Sequence, residues 1–218
     1  MITTISVLTM LIMAAFALRL ATIFPNSRNP YHLMLSIAAV AGMVAVLAWM
    51  NPPWMNQTGM HHEFFDISRA VGLSALLSGA TWLIYRLKPA FVRFPVYFCY
   101  LPFILIALFP LLHDTGILIE IVYLIYQIGA ILILLLLYST RLDGNSGNIY
   151  ILSGVIISAV SILMYWMPEA ITEPIPHFVV PVPLALALIL LTFGFDIRYK
   201  EAGNAMDENS IVRNMETS

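Results

Sequence analysis

Seven stretches of this chain, at 2–24, 31–50, 64–87, 91–112, 116–138, 149–167 and 178–199, approach or meet the length and apolarity of a bilayer-crossing helix. A helix rising 1.5 Å per residue needs about 20 mostly apolar residues to traverse ~30 Å of hydrocarbon. The residues between the stretches are those that end helices: Pro25-Asn26-Ser27, Asn51-Pro52-Pro53, Lys88-Pro89, His113-Asp114-Thr115, Asp143-Gly144-Asn145 and the run from Pro168 to Pro176. Of the 218 residues, 61% are apolar and 10% charged, and mean hydropathy is +0.89, where a soluble domain carries about 25% charge. A water-soluble fold is excluded. The expected fold is all-α, an integral-membrane bundle of seven transmembrane helices.

Charge placement sets the expected orientation. Arg19, Arg28, Arg86, Lys88, Arg93, Arg141, Arg198, Lys200 and Arg213 fall at alternate boundaries, on one side of a seven-span chain. The intervening loops hold no Lys or Arg and carry Glu63, Asp66, Asp114, Glu169 and Glu173. Lys and Arg prefer the cytoplasmic face, so the N-terminus is expected outside and the C-terminus in the cytoplasm, in a plasma membrane or a bacterial inner membrane. The first stretch has its positive charge after the apolar run, the reverse of a secretory signal, and is expected to stay as a helix. Residues 201–218 are polar and are expected to form a cytoplasmic tail that frays in water. A formal net charge of −2 offers no basic footprint for nucleic acid. Cys99 is the chain's single cysteine and lies in an apolar run, which excludes a disulfide framework or a CxxC pair.

Ionisable groups inside a bilayer are costly and face the bundle interior, so they mark where function is sought. At 100° per residue His62, Asp66 and Arg69 share one face of the third stretch, and Glu120, Tyr123 and Gln127 one face of the fifth. Both polar stripes begin at the expected outer end. Arg69 is the cation nearest that side and is expected to bridge Asp66 and Glu120, tying the two helices together around a structural pair or a ligand- or proton-responsive site built from Asp66, Arg69, Glu120, Tyr123 and Gln127. Ser68, Gly72, Ala75 and Gly79 form a small-residue face that lets another helix come close. Pro102, inside the fourth stretch, is a candidate kink that hinges or lines a cavity. Trp49, Trp54, Trp82 and Trp166 lie near expected boundaries and read as interfacial anchors.

Four histidines, His61, His62, His113 and His177, fall at expected outer helix ends. Together with Asp66, the set His62, His113 and His177 is a candidate outer-face site for zinc or copper, although none of it has single-helix metal spacing such as HExxH. Interfacial histidine at headgroup depth is the ordinary alternative. Retinal needs a mid-membrane lysine, and the two lysines, Lys88 and Lys200, sit at the boundary. Haem between helices needs paired histidines, and His32 stands alone at its edge.

Three functional classes follow. The leading one is a non-catalytic polytopic membrane protein, a sensor or receptor-like module or an accessory subunit, acting through a protein partner at the cytoplasmic side or tail. The second is a small-solute or ion transporter, against which stands the lack of any internal repeat. The third is a membrane enzyme using the outer histidine and carboxylate groups on a lipid-like substrate.

Overall fold

The computed structural model describes residues 2–27, 29–50, 61–87, 95–106, 116–140, 146–166 and 181–216. Among them the backbone is helical, with no strand: α1 (Ile2–Ser27), α2 (Pro30–Trp49), α3 (His61–Leu87), a 3-10 turn (Val96–Tyr100) leading into α4 (Leu101–Ile106), α5 (Gly116–Ser139), α6 (Ser146–Trp166) and α7 (Pro181–Glu216). Six of these are long and apolar enough to cross a membrane, and the turn with α4 forms a shorter apolar segment, Val96–Leu105. Of the fourth expected span, 91–112, the stretches 91–94 and 107–112 lie outside the described residues. Its described part is not a uniform α-helix: Pro95 is extended at φ −62°, ψ 150°, and a tight 3-10 turn separates it from α4. Pro102 then falls in the first turn of α4, where a missing N–H costs nothing.

The six long helices close into a ring. In order α1, α2, α3, α5, α6 and α7 each pack on the next, and α7 returns to α1, while α4 and its turn lie against α3. Association between helices in hydrocarbon depends on close van der Waals fit, and small residues supply it. The small face of α3 meets α2: a Cβ on Gly72 would lie 3.2 Å from the Ala41 Cβ, and one on Gly79 3.3 Å from that of Met34. The α6–α7 seam is closer still. A Cβ on Gly194 would come within 2.5 Å of Ile151 Cγ1 and 2.8 Å of the Gly147 carbonyl oxygen, so only hydrogen fits there.

Polar ties fasten one end of the ring. Arg19 on α1 donates to the Asp196 carboxylate on α7, Arg198 Nη1 donates to Asn148 Oδ1 of α6 at 2.9 Å, and Ser36 Oγ of α2 donates to the Ala17 carbonyl of α1 at 3.0 Å. His32 is buried here, its ring edge-on to Phe195 at 6.2 Å between centroids. Facing outward around the bundle are large apolar side chains such as Leu11, Leu18, Ile67, Leu132, Leu163 and Phe193, a perimeter suited to lipid. Trp82 lies near the C-terminal end of α3. Its Nε1 is buried without a hydrogen-bond partner among the described residues, and its ring packs edge-on to Tyr85 and Tyr100.

The polar segment after Lys200 continues α7 as helix to Glu216. It follows on from a helix already formed, so each residue adds a hydrogen bond without a fresh nucleation cost. At 36 residues α7 is about 54 Å long.

The α6–α7 seam generates the first prediction. Gly194→Val is expected to lower stability by about 1–3 kcal/mol through overpacking, measured as a fall in thermal midpoint in detergent. Gly129→Ala, whose added carbon would meet Leu77 Cδ1 at an ordinary 3.5 Å, is expected to leave the midpoint near wild type.

Candidate functional site

Inside the ring is a cavity of about 380 Å³, and each of the six long helices contributes to its wall. Its polar side chains are Ser68 and Arg69 of α3, Gln127 of α5, and Ser158 and Ser161 of α6; the rest of the lining is apolar. These polar groups are not scattered. On α3 and α5 they precede the apolar lining residues, Leu73 and Leu76 or Ile131 and Leu134, and on α6 they follow Ile151 and Val155. Contacts between the helices set their relative directions. Arg69 of α3 meets Glu120 of α5, and further along both chains Leu77 meets Gly129, so α3 and α5 run parallel. Asn148, near the start of α6, meets Arg198 at the Arg19 end of α7. The polar lining therefore gathers at one end of the chamber, and Phe16, Leu35, Leu191 and Phe195 close the other.

At the polar end an ion pair joins α3 to α5. Arg69 Nη1 donates to Glu120 Oε1 and Nη2 to Oε2, both at 2.8 Å, a bidentate fork that fixes orientation as well as charge. The guanidinium carbon lies 4.1 Å above the centroid of the buried Tyr123 ring, within cation–π range. Tyr123 in turn donates through its hydroxyl to the Asp66 carbonyl at 3.3 Å, so the ring beneath the arginine is itself held to α3. The two charged side chains differ in environment: Arg69 is 11% exposed and Glu120 43%. The cation lines the chamber, while its counter-anion stands at the more open edge of the bundle.

The residues singled out from the sequence are distributed as follows. Arg69, Glu120 and Tyr123 form one cluster, and Gln127, one turn beyond Tyr123, lines the chamber. Asp66 enters through its main-chain carbonyl, which accepts from the Tyr123 hydroxyl, while the carboxylate forked on Arg69 is that of Glu120. His62 is exposed near the start of α3. His113 and His177 lie outside the described residues, as does the side chain of His61. Among the described residues no three His, Cys, Asp or Glu side chains come together as a metal site. Pro102 is not among the residues that line the chamber. It is buried in α4, and its carbonyl accepts a bond from the Tyr126 hydroxyl at 3.5 Å.

The polar lining of α6 has no distinctive mark in the residue order. Ser158 and Ser161 share a helix face with Ile151, Val155 and Ile162, a spacing visible in the sequence but indistinguishable from ordinary small-residue packing until a cavity is seen in front of it. Compared with protein-family models, curated proteins and solved structures, the chain gives no match.

Replacing Arg69 by Ala removes the fork and the cation–π contact together. The expected loss is about 1.5–3 kcal/mol, the scale of hydrogen bonds to charged groups. Tyr123→Phe keeps the ring under the guanidinium and loses one 3.3 Å bond, so its expected cost stays near or below about 1 kcal/mol. Thermal midpoints of the two variants in one detergent check the order.

Proposed function

We propose that this chain is a multi-pass membrane protein that binds a small lipophilic molecule inside its helix ring and works as a non-catalytic, receptor-like module through a partner protein on the cytoplasmic side. The observation that carries this reading is the chamber, lined by six helices and polar at one end. Sites of roughly 300–1,000 Å³, mostly apolar with a few convergent polar groups, are the usual form of small-molecule pockets. Helix α7 supports the receptor-like part. It lines the chamber from Leu184 to Phe195 and continues as one helix to Glu216, so a change at the wall has a rigid path out of the bundle. The apolar half of the lining has nothing to replace the hydration shell of an ion or a sugar, which favours binding over passage.

The proposed topology has seven spans, with the N-terminus outside and the C-terminus in the cytoplasm, in a plasma or bacterial inner membrane. Its support is that α3 and α5 run parallel, so the chain between them returns across the layer through the segment that contains α4. Arg86 and Arg198 both lie close enough to Tyr31 to act on it electrostatically, at the end where Arg19 pairs with Asp196. This clustering of cations suits the cytoplasmic face.

Two measurements test the proposal. A fluorescent protein fused after Ser218 is expected to fluoresce, and an epitope before Met1 to be labelled on intact cells; the reverse pattern overturns the orientation. For binding, tetradecanol is the probe, added to the purified full chain in lipid nanodiscs. At 100 times its dissociation constant it is expected to stabilise the protein by about 2.7 kcal/mol, a shift of a few degrees in thermal midpoint. Leu188→Trp, which fills the chamber, is expected to abolish the shift; an equal shift in that variant overturns the chamber as the site.

A further inference from the structure

The ion pair at the mouth of the chamber is asymmetric, and the asymmetry narrows the ligand. Arg69 is part of the lining and nearly buried; Glu120 is not part of it and is close to half exposed. Glu120 also sits only four residues after Gly116, where α5 begins, roughly 6 Å in by helical rise. A carboxylate in that position can be taken over by water and interfacial counter-ions when it leaves the arginine. Arg69 has no such recourse, because a guanidinium in an apolar enclosure requires an anion or strong acceptor beside it.

We infer that the chamber takes a single-chain aliphatic carboxylate, whose head group pairs with Arg69 in exchange for Glu120 while its chain lies along the apolar wall. This rests on the chamber being a lipophile site, and it adds the chemical class. The head-group exchange conserves the buried ion pair: one carboxylate replaces another on the same fork, so no uncompensated charge is left inside. A neutral lipophile would leave Glu120 in place and draw no benefit from the cation. The size fits one chain. From Leu184 to Phe195 the α7 wall is eleven rises long, or about 16 Å. The volume of about 380 Å³ is roughly two and a half times that of a cavity that holds benzene, which suggests a chain on the order of fifteen carbons. Two-chain lipids are too large for it.

The test is titration calorimetry on the full chain in nanodiscs of neutral lipid, with tetradecanoate, tetradecanol and eicosanoate as probes. Tetradecanoate is expected to bind at least tenfold more tightly than tetradecanol, and the longer eicosanoate more weakly than tetradecanoate. Arg69→Gln is expected to erase the preference for the acid. Glu120→Gln is expected to act in the opposite direction, tightening tetradecanoate several-fold with tetradecanol unchanged, because it removes the competing carboxylate. A purely structural ion pair would make both substitutions weaken binding. The Glu120 variant and the chain-length series keep the test decisive if the Arg69 variant does not fold. A photoreactive diazirine analogue of tetradecanoate is expected to label chamber residues such as Leu188 and Gln127. If tetradecanol matches tetradecanoate, if Glu120→Gln weakens the acid, or if eicosanoate binds best, the carboxylate exchange is overturned and the chamber reading stands. If neither probe binds saturably, or labelling falls only on the outer surface, both are overturned.

Discussion

Backbone amides in hydrocarbon have no water to turn to, and the architecture follows from that constraint. A peptide group left unpaired there costs several kcal/mol, so an apolar chain crosses a membrane as helices that satisfy their own bonds. The six long helices do this. Once formed, they gain little from excluding lipid, which is as apolar as their own side chains. What brings them together is fit and a few polar ties. Glycines let α2 pack tightly on α3, and let α6 approach α7 more closely than a larger residue would allow. Arg19 with Asp196 fastens the join between α1 and α7 that makes a row of helices into a ring.

A closed ring of six helices has a middle to fill, and here the wall residues are too small to fill it. Ala38, Ala39, Gly42 and Ala45 of α2 and Gly72 of α3 present little volume to the axis, while Leu188, Leu191 and Phe195 of α7 close the far side. An empty apolar cavity forfeits dispersion contacts along its whole lining, a standing cost to the fold. The same small residues that let helices approach one another thus leave space for a guest.

The Arg69 cluster shows how one charge is tolerated at this depth. Its guanidinium is matched by a forked carboxylate, lies over an aromatic face, and the aromatic is itself hydrogen-bonded back to α3. Each partner lies on α5 or on α3, so neutralising the arginine also sets the register between the two helices. The arrangement is polarised, with its cation toward the chamber and its anion toward the edge.

Much of this was legible in the residue order. The helical stretches, the small face of α3, and the two stripes bearing Arg69 and Glu120, Tyr123 and Gln127 all follow from length, apolarity and a 3.6-residue period, which are local properties. The 3-10 turn before α4 is less so, because prolines at 95 and 102 set local constraints whose outcome depends on what α3 offers alongside. Asp66 illustrates the same limit: spacing placed its carboxylate within reach of Arg69, but the choice of Glu120 depended on a fork presented from another helix. Ser158 and Ser161 carried no sequence signal distinct from ordinary packing. The sequence by itself thus determined which stretches are helical and apolar and where the few charges fall along each of them. Only the tertiary structure decided that six helices close into a ring, leave a chamber and turn Arg69 into it, because those outcomes depend on contacts between residues as far apart as Arg19 and Asp196, which no local periodicity encodes.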